Sequence, residues 1–118
     1  MMSVEEKFVA AGYDYAALCE RTFGDEELIE ELLHIFLADE SWENMCSCMD
    51  NGETENAFRA AHSLKGSCGM LGLSGLFEMM RVLTDKLRYG DLEGAKIVFP
   101  KTRDEYEKAV SLIKELIC

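Results

Sequence analysis

A chain of 118 residues in which 48% of side chains are hydrophobic fits one domain with one core, and it is too apolar for a disordered acidic protein. A net charge of −11 argues against nucleic acid or an anionic membrane as a partner. No apolar run approaches the ~18 residues of a membrane span and the N-terminus lacks a signal-peptide pattern, so a cytoplasmic location is expected. One proline and 30% charged residues suit helices, and no strand pattern competes.

In chain order, residues 1–12 read as a loosely attached leader, although Phe8 and Val9 are apolar enough to pack, and residues 13–118 read as the domain. Asp14 is placed to cap a short helix over Tyr15–Arg21 that ends near Gly24. Asp25 then opens one long helix, with Glu26 and Glu27 favouring its positive end and Asn51-Gly52 stopping it. Leu28, Leu32, Ile35, Trp42, Cys46 and Met49 keep helical spacing along its predicted inner face. The next helix is predicted from about Glu53 to Met70, with Gly72 as the turn and Leu73 starting another. Leu76, Met80, Leu83 and Leu87 form that helix's stripe as far as Gly90. Asp91 caps a last helical stretch with a break and fresh start expected at Pro100; Tyr106, Ala109, Val110, Ile113, Leu116 and Ile117 line its inner face. Short connections between long helices predict an all-α fold, an antiparallel up-down-up-down four-helix bundle with a short additional N-terminal helix.

Five cysteines form no paired framework and read as free thiols in a reducing compartment. Cys46 and Cys48 sit two apart on a helix and point about 160° from each other, so they do not chelate a metal together. His34 shares its face with Glu27, Glu30 and Glu31 and reads as solvated, while Trp42, Phe77 and Met79-Met80 read as core or core rim.

The segment Ala61-His62-Ser63-Leu64-Lys65-Gly66-Ser67-Cys68-Gly69-Met70-Leu71-Gly72 departs from ordinary helix composition. Each interior glycine costs a helix roughly 0.5–1 kcal/mol relative to alanine. Ala57, Ala61, Leu64, Cys68 and Leu71 follow the 4-3-4-3 rhythm of a core stripe, and His62 lies one step off it, about 100° round the helix. Its helical neighbours are Lys65, Gly66 and Gly69. A histidine at the edge of a core, with an ammonium one turn on and bare backbone beside it, suits a nucleophile that another macromolecule must reach. Imidazole ordinarily titrates near ~6.5, which leaves a neutral ring with a lone pair at neutral pH.

Ala61-His62-Ser63-Leu64-Lys65-Gly66 followed by Leu71-Gly72 resembles the signature of histidine phosphotransfer (HPt) domains of bacterial phosphorelays. The likeness extends over residues 13–115, through the acidic amphipathic helix before the motif, the apolar repeat after it and Tyr89-Gly90-Asp91. The resemblance implies that His62 is the phosphoacceptor, attacking through Nε2, and that Lys65 screens the phosphoryl charge while Gly66 and Gly69 let a partner come near. It implies response-regulator receiver domains as partners, with a sensor histidine kinase as a further candidate. The chain has no ATP site, and no carboxylate pair stands beside His62 to hold magnesium. It is therefore expected to be a phosphorylated carrier with no cofactor of its own, not an enzyme, with magnesium supplied by the partner.

Pairing across the Gly72 hairpin sets Thr84 opposite His62 and Arg81 opposite Lys65. Relatives often have Gln, Glu or Lys near the Thr84 position, and threonine has a shorter reach. Thr84 and Arg81 are thus candidates for supporting contacts at the site. Phe58, one turn before His62, either packs inward or forms part of an apolar docking rim. Two other readings remain open: the phosphoacceptor module of a larger chemotaxis-type kinase, and a helical binding scaffold whose histidine is never phosphorylated. The short leader and a helix running to Cys118 tilt the expectation slightly toward a standalone protein. A metal-binding bundle ranks last, because the histidines and cysteines converge on no ligand set.

Overall fold

The structure, a computed structural model, describes residues 2–118. Among the described residues the chain is all-helical, with α1 (Val4–Ala10), α2 (Tyr15–Thr22), α3 (Glu26–Ala38), α4 (Ser41–Asp50), α5 (Thr54–Met70), α6 (Ser74–Arg88) and α7 (Leu92–Ile117). The expected caps are made: Asp14 accepts from the Ala17 N–H at 3.0 Å, Asp25 from those of Glu27 and Leu28, and Asp91 from that of Gly94 at 2.9 Å. Helices α4, α5, α6 and α7 each pack on the next, and α7 packs back on α3.

Three expectations are corrected. The single helix from Asp25 to Asn51 is two helices, broken where Asp39 leaves helical geometry. The Asp39 carboxylate accepts from the backbone N–H of Ser41 at 2.8 Å and from its hydroxyl at 2.7 Å, a local bond that competes with the helical one. The buried residues of α3 are Ile29, Leu33 and Phe36, one step round from the predicted Leu28, Leu32 and Ile35; Ile35 is 57% exposed. Both sets keep the same spacing in this leucine-rich stretch, and packing chose between them. Finally, α7 runs through Pro100 without a fresh start. The proline lies on the exposed side, where an unpaired carbonyl can meet water, while Ala95, Thr102, Ala109 and Ile113 bury the other side along the whole length.

The segment expected as a loose leader forms α1, held by a Ser3–Glu6 capping box. Phe8 is fully buried, edge-on to the rings of Tyr13 and Tyr15, whereas Val9 stays exposed. Lys7 pairs with Glu115 at 3.0 Å, and Lys108 donates to the Ala11 carbonyl at 2.9 Å, so the C-terminal half of α1 is tied to α7.

The α5–α6 hairpin carries the sequence motif, and its geometry is fixed at Gly72. This residue has φ +71, and a Cβ there would stand 2.2 Å from the Asp14 carbonyl oxygen. The Asp14 N–H in turn donates to the Gly72 carbonyl at 2.9 Å, stapling the start of α2 to the turn. Gly69 touches Phe77, and Phe58 touches Arg88. Both pairs are centred on Leu73, so α5 and α6 run antiparallel, with His62 level with Thr84 and Lys65 level with Arg81.

Candidate functional site

The core stripe of α5 is as expected: Ala57, Ala61, Leu64, Cys68 and Leu71 are all buried. That fixes the rotation of the helix and turns His62 outward, where it is exposed. The imidazole stacks on the Phe58 ring, with centroids 5.8 Å apart and planes 26° from parallel. Nearby polar side chains are occupied elsewhere: Arg59 donates to Glu55 and the Ser67 hydroxyl to the Ser63 carbonyl. Among the described residues none hydrogen-bonds to the ring.

Lys65 follows one turn later and is half-buried. Each of the hairpin's other cations has a carboxylate neighbour: Arg59 with Glu55 at 2.8 Å, Arg81 with Glu78 at 3.0 Å, Lys86 with Asp91 at 3.9 Å and Arg88 with Asp85 at 3.8 Å. Among the described residues Lys65 is the hairpin cation with no such neighbour, so its ammonium is free to meet an incoming anion. Gly66 is exposed, and a Cβ there would meet nothing within 4 Å.

Gly69 does a different job from the one expected. The Phe77 ring lies over it, 3.1 and 3.2 Å from where a Cβ would be, so this glycine permits close approach of α6 and does not open the surface. Its carbonyl also accepts from the Arg21 guanidinium, as does that of Met70 at 3.3 Å, capping the end of α5 from α2. Thr84 is also corrected. It stands at the level of His62, but its side chain is fully buried and its hydroxyl has no partner, so the supporting contact for which it was a candidate is not made. Arg81 stands level with Lys65, exposed, and paired along its own helix with Glu78.

Phe58 neither buries itself fully nor stands free. It is half-buried beneath the imidazole, and the Arg88 guanidinium lies over its ring, 5.5 Å from the centroid. Arg88 is the site residue the sequence reading missed, although the pairing used for Thr84 and Arg81, carried one turn further, leads to it. The contact of Arg21, from 48 residues away in the chain, had no such signal.

Cys68 is buried behind this surface, and burial pushes its thiol up to about 12, so it remains a protonated core group and not a rival nucleophile. All five cysteines are free, and burial likewise pushes Cys46 up. His34 is exposed, 3.7 Å from Glu30. Among the described residues no group of three or more His, Cys, Asp or Glu side chains is placed to hold a metal ion, and no helix is long and apolar enough to cross a membrane.

Comparison with curated proteins and with solved structures gave no match. Comparison with protein families matched the Hpt domain over residues 17–115, from α2 to the last turns of α7. The chain belongs to the Hpt domain family, the histidine-containing phosphotransfer modules of two-component signalling.

Proposed function

We propose that this protein is a phosphorelay intermediate in which His62 accepts a phosphoryl group from a receiver-domain aspartate and passes it to another receiver domain. The observation that carries this reading is an exposed imidazole, free of hydrogen bonds among the described residues, one helical turn from the uncommitted ammonium of Lys65 and the open backbone of Gly66. In the transfer, the ring nitrogen forms an N–P bond as the P–O bond to the aspartyl carboxylate breaks, and the carboxylate leaves with the electron pair. Lys65 screens the charge on the moving group, and the partner supplies magnesium and the in-line geometry. Gly66 leaves room for the partner's loops. The protein acts as a carrier in the cytoplasm, with no catalytic machinery of its own.

The adjacency of α4, α5, α6 and α7, with α7 returning to α3, supports an antiparallel up-down-up-down four-helix arrangement as the carrier's frame. Residues 13–118 form the phosphotransfer module, and α1 clasps it from outside.

The test is to incubate the protein with a phosphorylated receiver and magnesium and to look for an acid-labile, alkali-stable phosphoryl adduct. Label on the parent and none on His62→Gln is the expected result. Label on both would move the phosphosite elsewhere.

A further inference from the structure

The imidazole of His62 has no hydrogen bond to set its plane among the described residues. What touches it is Phe58, four residues earlier on the same helix face, in an offset stack of 5.8 Å and 26°. Phe58 is itself loaded from the neighbouring helix: the Arg88 guanidinium stands over its ring at 5.5 Å. Asp85, one turn back on α6, lies 3.8 Å from that guanidinium. The antiparallel pairing centred on Leu73 brings Arg88 level with Phe58. The four residues therefore form a chain of contacts running from α6 to the imidazole.

We propose that Phe58 and Arg88 are positioning residues for His62. Phe58 holds the imidazole plane by stacking, and Arg88, with Asp85 beside it, holds Phe58. This device replaces the hydrogen bond that the buried Thr84 hydroxyl does not supply. It rests on the phosphoacceptor reading for its purpose: a ring held in one orientation meets the in-line phosphoryl group already aligned, whereas a freely turning ring must first be ordered. Neither residue touches the phosphoryl group in this arrangement, so neither is a catalytic residue.

His34 supplies an internal control, because it is exposed and has a carboxylate, not an aromatic ring, as its neighbour. With isotope-labelled histidine in the full chain, NMR relaxation reads the motion of both rings, and the nitrogen shifts read their tautomers. The His62 ring should be more ordered than that of His34 in the parent. Phe58→Ala should bring it to the His34 level, Phe58→Tyr should preserve it, and Arg88→Gln should loosen it by a smaller amount. Phe58→Leu, which keeps apolar bulk without a π-face, should behave like Phe58→Ala, and thermal melts check that each variant is folded. Phosphoryl transfer to Phe58→Ala should then slow roughly tenfold to a hundredfold. A His62 ring as mobile as His34 in the parent, or unchanged in Phe58→Leu, would overturn the proposal. The ring measurements need no phosphate. Failure of transfer to the parent would therefore count against the phosphorelay reading and leave the positioning result to stand or fall by itself.

Discussion

The first half of the chain and the α5–α6 hairpin differ sharply in charge. Residues 2–53 carry fourteen carboxylates against two basic side chains, whereas residues 54–90 carry three against five. A protein of net charge −11 thus keeps a hairpin of net positive formal charge, in which Lys65 is the cation without a carboxylate neighbour among the described residues. Whole-chain charge, which argues against nucleic acid as a partner, says nothing of this local reversal. On the proposed reading, an anionic phosphoryl group is drawn to the hairpin and repelled by α3 and α4, so the charge pattern would orient the encounter as well as attract it.

The largest expected effect tests the joint between the two regions. Gly72→Ala would drive a Cβ to 2.2 Å from the Asp14 carbonyl at a positive φ, where α2 is stapled to the hairpin turn. A loss of about 3 kcal/mol or more is expected in denaturant melts, against a gain of roughly 0.5–1 kcal/mol for Gly66→Ala, whose Cβ enters open space on a helix that favours alanine. Equal effects from the two substitutions would mean that the turn is not the joint.

Next in size is the electrostatic contrast itself. Lys65→Glu should slow transfer from a phosphorylated receiver by roughly tenfold or more, since it replaces a charge-assisted contact with repulsion. Glu30→Lys, an equally large change of charge on the acidic α3, should alter the rate by less than about threefold, and only through long-range steering. Adding salt should shrink the Glu30→Lys effect before it shrinks that of Lys65→Glu. Comparable effects at both positions would reduce the hairpin's charge to a generic contribution.

The remaining expected effect is alkaline, and it asks whether one interior underlies both regions. Burial, reinforced by Glu105 and Cys68, raises Tyr13 from 10.0 to about 12; burial, reinforced by Glu43, Asp39 and two cysteines, raises Tyr106 from 10.0 to about 12. Burial raises Cys68 from 9.0 to about 12. The folded chain therefore retains protons that the unfolded chain releases. Their contribution to stability is intact below about pH 9 and is lost as the pH climbs toward 12. Thermal melts followed by circular dichroism should show one transition whose midpoint falls progressively above about pH 9. A midpoint unchanged to pH 11 would contradict the burial of these groups.

What was legible in the sequence divides along the same line as the charge. In α5 and α6 one regular apolar stripe stands out, so Ala57 to Leu71 and Leu76 to Leu87 are legible as core, whereas Phe58 beside it is left between core and rim. The stripe leaves His62 off the core. In α3 the run Leu28-Ile29, Leu32-Leu33, Ile35-Phe36 offers two stripes of equal spacing, and the expected one lies at the rim, with Leu28 and Leu32 partly buried and Ile35 exposed. Phe8 looked no different from Val9 in a short terminal segment, yet one is buried and the other is not.

By itself, then, the sequence determined the helices of the hairpin and their turn, the core stripe that leaves His62 off the core, and its neighbours within one turn, because these follow from local geometry and a regular period. The tertiary structure alone decided the face of α3, the docking of α1, the continuity of α7 past Pro100, the burial of the Thr84 hydroxyl, the cover of Phe77 over Gly69 and the reach of Arg88 to Phe58. Each of those depends on which surfaces meet between elements distant in the chain, and burial energy, which is summed over whole faces, outweighs the local preference of any one residue.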